Sequence, residues 1–197
     1  NLTQVQPAPY KDLSRALATA GAQIEHHRNS IGGVIDVLRN DTIPSRFAPG
    51  LSLHSSASLP AQLPVFIDGD AGGAITDHSG GFEERVVLHE MLSALPYQLL
   101  DSPRVVAMGA TLDNRLQQAL LFGATRVTAL EPDPQRLAVL CETYLRFNRQ
   151  VCADPRVDWL QQTARGFAVQ SGDTYDLISL TTEADPGGLD ALDIDYA

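Results

Sequence analysis

A chain of 197 residues with 44% hydrophobic content can bury a real core, as one domain or as two small ones. Its formal net charge of −10, with no local cluster of lysine and arginine, repels a phosphate backbone and excludes nucleic acid as an expected partner, while leaving a small cationic amine compatible. No apolar run approaches the roughly 18 to 20 residues that span a bilayer, and no signal-peptide pattern is visible, so the chain reads as soluble; its start at Asn1 rather than methionine, and its stop just after a fourth strand, make it read as a fragment of something longer.

In chain order, a short amphipathic helix is predicted around Asp12 to Ala20. Short antiparallel strands follow: Ala22 to Arg28 and Gly33 to Arg39, joined by the hairpin Asn29-Ser-Ile-Gly32, then Leu51 to Ser55 and Pro64 to Asp68. Near Phe82 the pattern changes to helix, with Leu88, Met91, Leu92, Leu95 and Leu99 spaced as one buried stripe and Pro96 ending or kinking it. The change of pattern divides residues 1–82, a β-rich part with one helix, from residues 83–197.

The second part begins with an apolar strand, Arg104 to Met108, that meets Gly109-Ala110 and feeds a helix with Leu112, Leu116, Ala119 and Leu120 on one face. A second strand, Arg126 to Leu130, ends in Glu131. The next helix opens with Asp133 as N-cap and Pro134 at its first position, and buries Leu137, Leu140, Cys141 and Tyr144. Arg156 to Leu160 and Tyr175 to Leu180 read as two further strands separated by a short crossover. Strands alternating with helices imply a parallel sheet with right-handed connections.

In such a sheet a ligand lies beyond the carboxyl ends of the strands, where a glycine loop lets backbone approach it and an acid accepts from ribose hydroxyls. Glu131 follows Gly109 by 22 residues, close to the separation of about 20 expected between a nucleotide loop and its ribose acid. Other constellations carry less. Asp68, Asp70 and Gly73 fall in a calcium-loop register, but Gly72 and Ser79 stand at the fifth and twelfth positions, so the segment reads as a turn. His26 and His27 are neighbours on a strand and point to opposite faces, which rules out joint chelation. No nucleophile-elbow pattern supports a hydrolase. Cys141 and Cys152 make neither a metal cluster nor a disulfide framework and fit a reducing compartment.

Taken together the chain resembles the spermidine synthase family of aminopropyltransferases, in particular the branch joined to membrane segments. The resemblance rests on Tyr10-Lys-Asp-Leu-Ser14, Asn29-Ser-Ile-Gly32, Pro49-Gly-Leu-Ser-Leu53, Asp68-Gly69, His89-Glu-Met-Leu92, Val127 to Pro134, Asp154-Pro-Arg-Val157 and Tyr175-Asp-Leu-Ile178, in that order and spacing. It implies an α/β fold: a Rossmann-like, class I methyltransferase-type parallel sheet, here incomplete at its C-terminus, after a small β-rich N-terminal domain. It also implies a nucleoside ligand, decarboxylated S-adenosylmethionine, S-adenosylmethionine or methylthioadenosine, with an amine as acceptor. Carried onto this sequence, Gly109, Ala110, Asp113 and Glu131 are the cofactor-binding candidates, and Asp68, His89 and Glu90 the substrate-binding ones.

The sequence departs from the family at most ligand-gripping positions. The glycine-rich loop, roughly GAGGG in the family, is Gly109-Ala-Thr-Leu-Asp113, and the added side chains oppose close approach of a ligand. Thr181 stands where the family has the base for the attacking amine, leaving Glu183 and Asp185 as replacement catalytic acids. Thr163 stands for an adenine-contacting acid, Gly72 for a glutamine and Leu88 for a tyrosine. The expected function is therefore a degenerate aminopropyltransferase-like domain with a sensing, regulatory or scaffolding role; the alternative is an active S-adenosylmethionine-type transferase with a rebuilt site. A sheet ending at its fourth strand leaves an open edge, from which a homodimer is expected.

Overall fold

The computed structural model describes residues 8–52, 54–80 and 86–180. Helix α1 (Asp12–Leu17) precedes an antiparallel sheet of β1 (Ala22–Ser30), β2 (Gly33–Asn40), β3 (Gln62–Ile67) and β4 (Asp70–Thr76), paired in chain order. The expected hairpin closes at the Ser30–Gly33 pair. Asp68 and Gly69, at φ 49° and 85°, form the two-residue turn between β3 and β4, the handedness that a twisted hairpin demands. The Asp68 carboxylate accepts a 2.7 Å hydrogen bond from the Val34 N–H, so the calcium-like register is a hairpin turn tied to the neighbouring strand. The two adjacent histidines part as strand geometry requires: His27 bonds Asp36 at 2.6 Å, while His26 meets the edge of the Tyr144 ring.

Three expectations in this half are corrected. Leu51 forms only an isolated bridge with Met91 rather than opening a strand. The segment that reads as a turn continues into strand β4 from Asp70, whose Asp-Ala-Gly-Gly start has low strand propensity. The predicted helical stripe splits into α2 (Val86–Glu90) and a 3-10 segment, Leu92–Gln98. Leu88 and Met91 are buried, but Leu92, Leu95 and Leu99 are 70%, 54% and 81% exposed. Met91 is extended (φ −80°, ψ 143°), which resets the helical phase, and three residues per turn then carry the later leucines off the buried face.

The second sheet is parallel, with β5 (Arg104–Met108), β6 (Arg126–Leu130), β7 (Val157–Leu160) and β8 (Leu177–Leu180) in the order β7-β6-β5-β8. Strand order therefore reverses direction between β5 and β8, the switch point at which such sheets bind ligands. Helices α3 (Arg115–Leu121), α4 (Pro134–Ala138), α5 (Leu145–Cys152) and α6 (Ala164–Gln170) make the crossovers. Leu116, Ala119 and Leu120 of α3 bury against β5 and β6, as their spacing predicts. Asp133 caps α4, its carboxylate accepting from the Gln135 N–H at 2.9 Å.

The helix expected to run on from Asp133 instead passes through a π segment, Val139–Thr143, and turns at Tyr144 (φ −109°, ψ 28°) into α5. This bend brings the Cys141 and Cys152 Cα atoms to 5.5 Å, and the two sulfurs are bonded. The expectation of two free thiols is thereby overturned. A continuous helix would hold residues eleven apart about 16 Å from one another, so without the bend their spacing gives no hint of a bridge.

Replacing both cysteines with alanine, or reducing the bridge, is expected to lower the unfolding free energy by about 2–4 kcal/mol, the usual loss for a native disulfide. The urea midpoint of oxidised and reduced protein reads it directly. An unchanged midpoint, or two titratable thiols in the oxidised protein, would contradict the bridge.

Candidate functional site

The loop after β5 turns at Gly109, which adopts φ 72° and ψ 26°, a left-handed conformation suited to glycine. Its N–H donates to the Leu130 carbonyl at 3.2 Å, tying the loop to the end of β6. A short 3-10 turn, Ala110–Leu112, follows and leads through Asp113 and Asn114 into α3. Across from it β6 delivers Glu131, whose N–H donates to the Leu160 carbonyl of β7 at 3.1 Å.

Glu131 is 1% exposed. Its Oε2 accepts from the Thr111 hydroxyl at 2.6 Å and its Oε1 from the Asp133 N–H at 2.9 Å. Burial pushes its pKa above the ordinary carboxylate value; the bonds from Thr111 and Asp133 and the nearby Arg136 pull the other way. Both oxygens of the expected ribose acid are therefore engaged by the chain itself. Asp133 is buried beside it, and the β1–β2 turn lies against Asp133, since a Cβ on Gly32 would come within 3.2 Å of its Oδ2.

Leu112 is equally committed. It is 2% exposed and packs with Ile35, Val65, Ile75 and Tyr144 in a core shared by the antiparallel sheet and the helices after β6. Gly73 of β4, at φ +133°, lies directly on it: a Cβ there would overlap the Leu112 carbonyl oxygen. Gly72, where the family would carry a glutamine, has Ile67 Cγ1 at 2.8 Å from the position of a Cβ, so a longer side chain requires Ile67 to move.

Beside this loop lies a cleft of about 560 Å³ between Gly50, the Gly72-Gly73 backbone, Met91, Pro96 and Asp113. Its polar wall is an ion pair: Asp113 accepts from the Arg115 N–H at 2.9 Å and faces Arg115 Nε at 3.1 Å. Asn114 also lines the cleft, its side-chain oxygen 3.1 Å from Nε2 of the buried His78. Near Asp113 and Arg115, the Tyr97 hydroxyl is buried without a hydrogen-bond partner among the described residues; burial, reinforced by the Asp113 charge, pushes its pKa up to about 12.

The structure thus brings Gly109 and Glu131 together at the ends of β5 and β6, with Ala110 in the turn between Gly109 and Thr111, and places Asp113 in the cleft. His89 and Glu90 are not among the residues lining the cleft: His89 is exposed and packs edge-on against Phe122, with ring centroids 4.8 Å apart, and Glu90 is half-buried, its Oε2 unbonded among the described residues. Asp68 serves the β3–β4 turn described above. Glu183 and Asp185, with Thr181, lie outside the described residues. Thr163 is the N-cap of α6, its hydroxyl accepting from the Gly166 N–H at 3.1 Å. Sequence reasoning counted Thr111 and Leu112 only as lost glycines. Their positive roles had one legible signal, a hydroxyl two residues past Gly109 in the loop that faces the acid.

Neither a protein-family model nor a curated protein matches the sequence. Solved structures do match. The spermidine synthase of Thermotoga maritima superposes with a TM-score of 0.59 at 15% identity over 82% of this chain and 47% of its own. A spermidine synthase in complex with the transition-state analogue AdoDATO gives 0.58 at 15% identity over 81% and 48%. A probable spermidine synthase of Corynebacterium glutamicum gives 0.52 at 13% identity over 81% and 52%. This chain spans about half the length of each. At such identities the likeness establishes a spermidine-synthase-like fold.

The raised pKa of Glu131 has a defined effect on stability. A carboxyl whose folded pKa lies above its unfolded value contributes fully below the unfolded value, near 4.5 here, and loses that contribution as pH rises through the folded one. Relative to Glu131→Gln, the wild-type protein is expected to lose stability as pH rises from about 4.5 toward neutrality. Urea unfolding of both proteins between those limits tests this, and parallel pH profiles would refute it.

Proposed function

We propose that the chain is a spermidine-synthase-like domain whose nucleoside site is filled by its own side chains, and that it acts in ligand sensing, regulation or scaffolding rather than as a spermidine synthase. The observation that carries this reading is the 2.6 Å bond from Thr111 to Glu131. In a sheet of this kind the acid ending the second strand receives a ribose hydroxyl. Here a hydroxyl from the chain's own loop is held in its place, and a nucleoside has to displace a donor that never diffuses away.

Leu112 adds a packing cost to that displacement. Withdrawing a fully buried leucine from its core costs on the order of 2–5 kcal/mol, enough to weaken a ligand by tenfold or far more. The residues present therefore do not fit an adenosyl group without rearrangement of the 109–113 loop. At the cleft, Arg115 offsets the Asp113 charge that would attract an amine, and Met91 and Pro96 supply no charged side chain. One observation favours the second reading, an active transferase using a rebuilt site: about 560 Å³ of space beside Asp113 is within the range of small-molecule pockets. On that reading Glu183 and Asp185 provide the base.

Calorimetric titration with decarboxylated S-adenosylmethionine, S-adenosylmethionine and methylthioadenosine separates the two. No saturable heat at millimolar ligand, together with no aminopropyl transfer to putrescine, is the expected result. Saturable binding that disappears in Glu131→Ala, accompanied by turnover, would establish the active reading instead.

A further inference from the structure

We propose that a second cleft, between the segment after β4 and the first turns of α5, binds a small phosphate-type dianion through Arg146 and Arg149. The cleft has a volume of about 490 Å³ and includes His78, Arg146, Phe147 and Arg149 in its lining, sharing no residue with the cleft beside Asp113. The chain is strongly acidic, and most of its described basic side chains face carboxylates, as Lys11 faces Asp70, Arg115 Asp113, Arg126 Asp158 and Arg156 Asp154. Arg146 and Arg149 have no carboxylate partner among the described residues, and both line the same cleft. Two guanidinium groups at one opening, neither paired with a carboxylate among the described residues, form a local positive site in a protein of net charge −10.

Their placement suits an oxyanion. Residues three apart lie on one face of a helix, so both guanidinium groups approach a ligand from the same side. Each guanidinium offers a planar fork of donors that matches phosphate oxygens. Arg146 is further oriented by the Phe147 ring, with 5.1 Å between its guanidinium carbon and the ring centroid. The helix beneath them is pinned at both ends: the His78 N–H donates to the Phe147 carbonyl at 3.0 Å, and Cys152 is bonded to Cys141. A held backbone reduces the ordering that binding requires. The buried His78 lines this cleft, and its imidazole lies 3.1 Å from the side-chain oxygen of Asn114, which lines the first.

Inorganic phosphate titrated into the full chain at fixed ionic strength, followed by calorimetry, tests the assignment, with acetate and chloride as competing anions. Saturable phosphate binding, weakened roughly tenfold or more by the joint change Arg146→Gln and Arg149→Gln, is expected. Arg165→Gln, which removes one equal charge from exposed α6, is expected to leave it unchanged. The proposal is overturned if phosphate heats match those of chloride, if acetate binds as tightly as phosphate, or if Arg165→Gln weakens binding as much as the double change.

Discussion

A carboxylate with 1% of its surface exposed has to find donors inside the protein, and the arrangement around Glu131 follows from that requirement. Burial alone would favour the neutral acid; two hydrogen bonds pull the balance back toward the anion. One donor, the Thr111 hydroxyl, requires the loop after β5 to fold inward as a 3-10 turn. The other, the Asp133 N–H, fixes the residue that caps α4 and so sets the entry of the chain into the helices beyond. Gly109 makes the inward turn by adopting a left-handed conformation. One buried acid thus couples the first two strands of the parallel sheet to the starts of the elements that follow them.

Leu112 extends the coupling to the other sheet. The turn that lets Thr111 reach Glu131 also drives Leu112 into the core beneath the antiparallel strands, where the bare backbone of Gly73 leaves room for its carbonyl. Thr111 and Leu112 consequently move together: pulling either one out disturbs both a buried polar pair and an apolar core. Coupled residues of this kind are expected to give non-additive effects when changed jointly.

The parallel sheet was legible because its strands are short, predominantly apolar runs alternating with helices of strong periodicity, as at Leu116, Ala119 and Leu120. Asp133-Pro134 announced a helix start through cap chemistry alone. Legibility failed where a local backbone choice overrode a pattern. Met91 in an extended conformation threw Leu92, Leu95 and Leu99 to the surface, and Tyr144 folded a helix back so that Cys141 met Cys152. At the site, the position of Glu131 could be inferred from its spacing to Gly109, but its partner could not. Spacing says which residue ends a strand; whether a threonine across the loop points inward depends on tertiary packing.

The framework and the site answer to different forces, which explains how one can persist while the other changes. Apolar burial in the β5–β6–α3 core involves residues outside the loop at 109–113. A glycine-rich ligand loop, by contrast, is an intrinsically costly element: it orders flexible backbone and leaves an acid facing an open crevice. Here Thr111 satisfies the acid and Leu112 packs into the core beside it. A site rebuilt for turnover on another nucleoside would instead need Glu131 or a substitute acid to remain available to ligand. Here the inward placement of Thr111 and Leu112 leaves both Glu131 oxygens bonded within the chain and the loop packed into the core, on a fold like that of the spermidine synthases.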